Sequence, residues 1–134
     1  MTEHIFKQYD AELESVRAKV LQMGGLVEQQ IINALEALVT ANPKIAAEVM
    51  ESDRQVNALE VQVDEDCSHI IARRQPAAGD LRMIMMVVKT ITDLERIGDE
   101  ATKIARVAEK IYESDRLYKP RFNEIKSMVA LVRE

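Results

Sequence analysis

Two stretches of the chain share one frame: Leu59-Glu60-Val61-Gln62-Val63-Asp64-Glu65 and Leu94-Glu95-Arg96-Ile97-Gly98-Asp99-Glu100. Each follows Leu-Glu-x-x-x-Asp-Glu inside a helical pattern. On a helix, positions four apart lie on one face, so each stretch carries a small acidic patch one step past an apolar position. Like charges at that spacing repel by roughly 0.2–0.5 kcal/mol when exposed. Two copies of an unfavourable arrangement suggest a bound cation. The alternative is two solvated acidic faces.

The surrounding sequence places both stretches on long helices. Leu13, Val16, Val20, Val27, Ile31, Ala34 and Leu38 recur three or four apart, which predicts a first helix from about Gln8 to Ala41. Gly24-Gly25 interrupts this pattern without changing its phase, so one continuous helix is expected, with a bend or a close backbone approach at the pair. Asn42-Pro43 is a cap followed by a helix-opening proline. A second helix follows to Arg74, with Ile45, Val49, Val56, Leu59, Val63 and Ile70 as its stripe. Gln75 to Asp80 is a short connection in which Asp80 suits an N-cap. A third helix runs from about Leu81 to Glu113 on Ile84, Val87, Ile91, Leu94, Gly98, Ala101, Ala105 and Ala108. Ser114 to Lys119 is polar, and Pro120 opens a partial fourth helix carrying Ile125, Met128, Val129 and Val132.

Helices of this length span about 45–50 Å, and short links make neighbours antiparallel. The expected fold is all-α: an elongated antiparallel three-helix bundle over residues 1–115, followed by a partial fourth helix. The two acidic stretches are centred on Gln62 and Ile97, nearly symmetric about the loop between their helices. In a hairpin the pairs therefore lie level to within about one turn, ~5 Å. On a wheel of about 100° per residue, Glu95 and Asp99 fall at the edge of the core stripe, and Glu60 and Asp64 do the same. Asp53 and Asn57 extend the row on the second helix. Such a flank suits hard or borderline cations such as Mg²⁺, Mn²⁺, Fe or Zn²⁺.

Composition narrows the function classes. The 134 residues carry a net charge of −5, with 47% hydrophobic, 31% charged and 4% aromatic residues. That balance gives a real core built from aliphatic residues, and it disfavours nucleic acid, whose phosphates need clustered Lys and Arg. The seven Met residues are expected to serve as flexible packing. Cys67 stands alone, so it forms no internal disulfide, and it reads as a small packing residue in a reducing compartment. The start of the chain lacks signal-peptide character, and no apolar run reaches membrane-spanning length. Ferritin-like dimetal chemistry uses paired Glu-x-x-His motifs. Here Asp66-Cys67-Ser68-His69 imitates that spacing once and has no counterpart. There is no phosphate loop, nucleophile elbow or nucleophile–base pair, so no catalytic residues are assigned and the chain is not expected to be an enzyme. Arg73, Arg74 and Arg82 gather at one end of the bundle. The first two suit a helix C-terminus, and all three together are a candidate surface for an acidic partner.

A set of segments stands in a particular order and spacing: Ala11-Glu12-Leu13-Glu14-Ser15, Met23-Gly24-Gly25 with Val27-Glu28-Gln29-Gln30, Val56-Asn57-Ala58-Leu59-Glu60 with Val63-Asp64-Glu65, Ile71-Ala72-Arg73-Arg74-Gln75-Pro76, Asp80-Leu81-Arg82, and Leu94-Glu95-Arg96-Ile97-Gly98-Asp99. Together they resemble the PhoU family, the phosphate-transport accessory and regulatory proteins of bacteria. The resemblance covers about Phe6 to Ala108. It implies tandem three-helix bundles, so residues 116–134 become a linker and the first helix of a truncated second repeat. It implies metal ions or multinuclear clusters (Fe, Zn, Mn or Mg) on the family's E/D-x-x-x-D motifs, here Glu60 with Asp64 and Glu95 with Asp99. It further implies a cytoplasmic, dimeric negative regulator of the phosphate-starvation response. Such a regulator acts between the ATPase subunit of the high-affinity phosphate ABC transporter and a sensor histidine kinase, and it meets the membrane only through those partners. Two other readings stay open: a carboxylate-bridged dimetal enzyme, and a structural helical interaction module with solvated acids.

Overall fold

The computed structural model describes residues 2–114 and 130–133. Helix α1 spans Thr2–Thr40, α2 Pro43–Arg74 and α3 Ala78–Ser114, and all three pack against one another. At 39, 32 and 37 residues they are about 48–58 Å long at 1.5 Å per residue. The expected three-helix bundle is thus observed. Residues 130–133 are helical, and Arg133 forms an ion pair with Glu36 of α1. The rest of the expected fourth helix lies outside the described residues. Among the described residues, no helix is long and apolar enough to cross a membrane.

The helix boundaries follow local chemistry. Asn42 has extended backbone (φ −94, ψ 111), and its side chain accepts the Lys44 amide at 3.0 Å, with Pro43 in the first turn of α2. Helices α1 and α2 close on residues without glycine's freedom: Ala41 and Gln75 sit at φ 54 and φ 47. Both are left-handed positions that end a helix before a sharp reversal. Two starts differ from expectation. α1 begins at Thr2 rather than Gln8, and α3 at Ala78 rather than Leu81. The Leu81 amide donates to Ala77 O at 2.8 Å, so the first turn of α3 forms ahead of Asp80, and the high helix propensity of Ala78 favours it. Asp80 is therefore not the cap. It lies in the first turn, where its charge suits the helix dipole, and it accepts the Tyr9 hydroxyl at 3.1 Å.

The core has two compositions in sequence along the bundle. One part is built of larger side chains, including Met23, Val27, Val56, Leu59, Val63, Ile70, Ile84 and Ile91. The other is dominated by alanine: Ala34, Ala37, Ala46, Ala101, Ala105 and Ala108, with Val49. Cys67 is buried in the first part at 1% exposure, and burial, with the nearby Asp66 and Asp64 charges, pushes its thiol pKa up. It packs rather than reacts. Gly24 and Gly25 do not break α1, and nothing stands within 4 Å of a Cβ built on either. The expected close approach is therefore absent at this pair and occurs instead at Gly98.

Ion pairs fasten α1 to α2. Arg74 donates to both Glu12 oxygens, at 2.6 and 3.4 Å, and Lys19 meets Asp66 at 2.5 Å. The Arg74 hydrogen bond holds the Glu12 carboxyl below its usual range. Arg74 is thus committed inside the chain, while Arg73 and Arg82 stay exposed. The expected three-arginine surface is reduced to two residues.

The left-handed alanine provides a test of this account. Ala41→Gly removes the Cβ penalty of that conformation and is expected to stabilise the chain by about 1 kcal/mol in urea unfolding. A destabilised variant would contradict the assigned backbone geometry.

Candidate metal centre

Helices α2 and α3 are the two arms of one antiparallel hairpin, so their acidic edges face the same groove. Leu59 and Val63 are buried in the core and Leu94 packs against it, while Gly98 is also buried. These residues turn the intervening carboxylates to the groove edge. Glu60 and Glu95 are half-buried, whereas Asp64 and Asp99 are exposed. The structure sets Glu60 beside Glu95, and the charges of Asp64 and Asp99 also act on Glu60. Burial is the leading cause that raises the Glu60 pKa above its ordinary value, followed by the Glu95 charge.

Elsewhere Glu12, Glu14, Glu36, Glu51, Asp66 and Glu100 each have a Lys or Arg partner. Among the described residues, none of the four groove carboxylates does. The groove therefore gathers negative charge without neutralising it. Among the described residues, no group of three or more His, Cys, Asp or Glu side chains stands where it could hold one metal ion between them. The donor set is nonetheless all carboxylate oxygen, which fits hard cations such as Mg²⁺, Mn²⁺ or Fe better than the nitrogen- and sulfur-rich sites zinc prefers.

The groove's inner wall is polar as well. Gln30 of α1, at 1% exposure, donates from Nε2 to Val49 O at 3.2 Å and to Asp53 Oδ1 at 3.3 Å. Asn57 also donates to Asp53, at 3.5 Å. A Cβ on Gly98 would stand 2.9 Å from Gln30 Oε1 and 3.5 Å from Asp53 Oδ1. One turn on, Thr102 donates to Gly98 O at 2.8 Å. Sequence reading placed Asp53 and Asn57 in the acidic row but missed Gln30 and Thr102. The available signal was a polar residue on each core stripe, between Val27 and Ala34 and beside Ala101.

His69 lies apart from this groove. It is exposed and lines a depression between α1 and α2 with Glu12, Ser15, Lys19 and Asp66. Charges there are already matched by the Lys19–Asp66 and Arg74–Glu12 pairs.

Fold and groove together define a class: an all-helical bundle with a carboxylate row on one flank and, among the described residues, no assembled nucleophile and base. Residues 20–108 match the PhoU domain, and the chain belongs to the PhoU family. It is 54% identical over 113 residues to a Pseudomonas putida protein named "Phosphate-specific transport system accessory protein PhoU homolog", covering 84% of this chain and 44% of the relative. It is 51% identical over 108 residues to the Escherichia coli (strain K12) "Phosphate-specific transport system accessory protein PhoU", covering 81% and 45%. The crystal structure of PhoU from Pseudomonas aeruginosa superposes with a TM-score of 0.84 at 46% identity, over 94% of this chain and 62% of that one. The chain thus spans about half the length of the curated relatives it matches.

The raised Glu60 pKa fixes the sign of a pH effect. Below the ordinary value of 4.5 Glu60 is protonated in both folded and unfolded chains and carries no penalty. As pH rises through the folded pKa, the folded state loses a favoured proton and stability falls. In metal-free buffer, Glu60→Gln is expected to raise Tm at neutral pH, with the gain vanishing in acid. An equal gain at both pH values would contradict the repulsion.

Proposed function

We infer that the chain is the metal-binding bundle of a regulatory adaptor in phosphate homeostasis. The observation that supports this reading is Glu60 beside Glu95, with Asp64 and Asp99 on the same flank and, among the described residues, no basic partner for any of the four. A hard cation bound there supplies the positive charge the groove lacks and turns mutual repulsion into attraction. Glu60 and Glu95 would hold it from the inner edge, and Asp64 and Asp99 from the solvent side. Fe, Mn and Mg fit this oxygen set, and Zn fits it less well.

The biological setting comes from the family. Relatives are named as accessory proteins of the phosphate-specific transport system, which supports action by contact rather than by turnover. The adaptor would serve in the cytoplasm as a negative regulator of the phosphate-starvation response. It would sit between the ATPase subunit of the high-affinity phosphate transporter and a sensor histidine kinase, as a homodimer. A cation in the groove would draw α2 and α3 together along the acidic row, so metal occupancy and the shape of the bundle's flank become coupled.

Glu95→Ala combined with Asp99→Ala is expected to abolish Mn²⁺ or Fe uptake, measured by metal analysis of untagged protein, while far-ultraviolet circular dichroism stays nearly unchanged. Unaltered metal content would sink the site assignment. In pull-downs, the same double variant should change capture of the transporter ATPase or the kinase. Equal capture of both would separate metal binding from regulation.

A further inference from the structure

Among the described residues, Gln30 is the buried side chain that meets both acid-bearing helices through polar atoms at the level of the groove. Its amide nitrogen is spent on α2, at Val49 O and Asp53 Oδ1. Its oxygen faces Gly98 of α3, at 2.9 Å from where a Cβ would stand, and no donor among the described residues reaches that oxygen. The amide cannot be turned round, because Oε1 would then confront two acceptors, a carbonyl and a carboxylate. A buried amide with an unpartnered oxygen is a poor core filler: an apolar side chain of similar volume would pack there without the desolvation cost. Its position explains it better. Gly98 lies between Glu95 and Asp99, and Asp53 is on the same face as Glu60, two turns earlier.

We propose that Gln30 is a positioning residue for the acidic groove: seated on Gly98 and bonded to Val49 and Asp53, it fixes the axial register of Glu60 and Asp64 against Glu95 and Asp99. Gly98 is the other half of the device, because a side chain there would push the amide off its seat. Neither residue touches the cation. The proposal rests on the metal reading of the groove, but the register it describes exists without metal.

The test uses the 134-residue chain, titrated with Mn²⁺ alone by calorimetry and followed by thermal unfolding. Gln30→Met keeps the volume and removes the amide. It is expected to leave Tm equal or higher and yet to weaken Mn²⁺ binding about tenfold or more, as loss of an outer-sphere support does. Gly98→Ala should weaken binding about tenfold in the wild-type background and by less than about threefold in a Gln30→Ala background, where the colliding amide is gone. Wild-type affinity in Gln30→Met overturns the proposal, as does an equal Gly98→Ala loss in both backgrounds. Should the wild-type chain take up no Mn²⁺, the metal reading falls. The metal-free amide NMR spectrum then decides: positioning requires Gln30→Met to shift the Glu60, Asp64, Glu95 and Asp99 signals, and unmoved signals overturn it.

Discussion

The bundle turns on the contact between Gln30 and Gly98. On one side of it the core is made of Met, Val, Leu and Ile; on the other it is mostly alanine. Helices separated by large side chains stand farther apart than helices separated by alanine, since interaxial distance follows side-chain size. The junction between two such regimes is where a helix pair would otherwise be free to slide or splay. A polar layer occupies that junction. Gln30, Asp53, Gly98 and Thr102 are joined there by directional bonds and a close approach. Apolar packing tolerates small slips; hydrogen bonds with fixed partners do not.

The acidic groove lies directly outside this layer, and its electrostatics run against stability. Six carboxylates elsewhere in the described chain are paired with Lys or Arg, so basic residues were available. Arg96 follows Glu95 directly in the chain, yet it is exposed and forms no ion pair with any of the four groove acids. Successive helix positions point about 100° apart, which carries its guanidinium off the groove face. Departures from local consistency of this kind tend to mark functional sites. The raised Glu60 pKa expresses the cost: burial and three neighbouring acids leave the groove short of positive charge.

Much of this was legible in the sequence. The apolar period located all three helices, and Asn42-Pro43 marked the start of α2. What escaped depended on tertiary context. The start of α3 moved ahead of Asp80 because the helix already forms at Ala78, and a good capping residue served as a hydrogen-bond acceptor for Tyr9 instead. Gly24-Gly25 drew attention as a conspicuous pair, but open space surrounds both. Gly98, a single glycine within a motif, is the one that a neighbour requires to be glycine. Arg74 looked like a surface charge until its distance to Glu12 committed it within the chain. In each case composition and period gave the element, and only the identity of the partner across the bundle gave the role.

The groove is also local. All four carboxylates come from α2 and α3, a single hairpin, and α1 contributes only the buried amide behind it. The proposed cation site therefore draws on this bundle alone, while the chain spans about half the length of its curated relatives. The proposed regulation by contact would draw on other surfaces of the bundle. The physical link between the two is the hairpin itself. Drawing four carboxylates toward one charge would shift α2 against α3, and α1 would follow through Gln30, Arg74 and Lys19. A local charge balance would thereby become a change in the whole bundle, which is the form of signal a contact-driven adaptor can pass on.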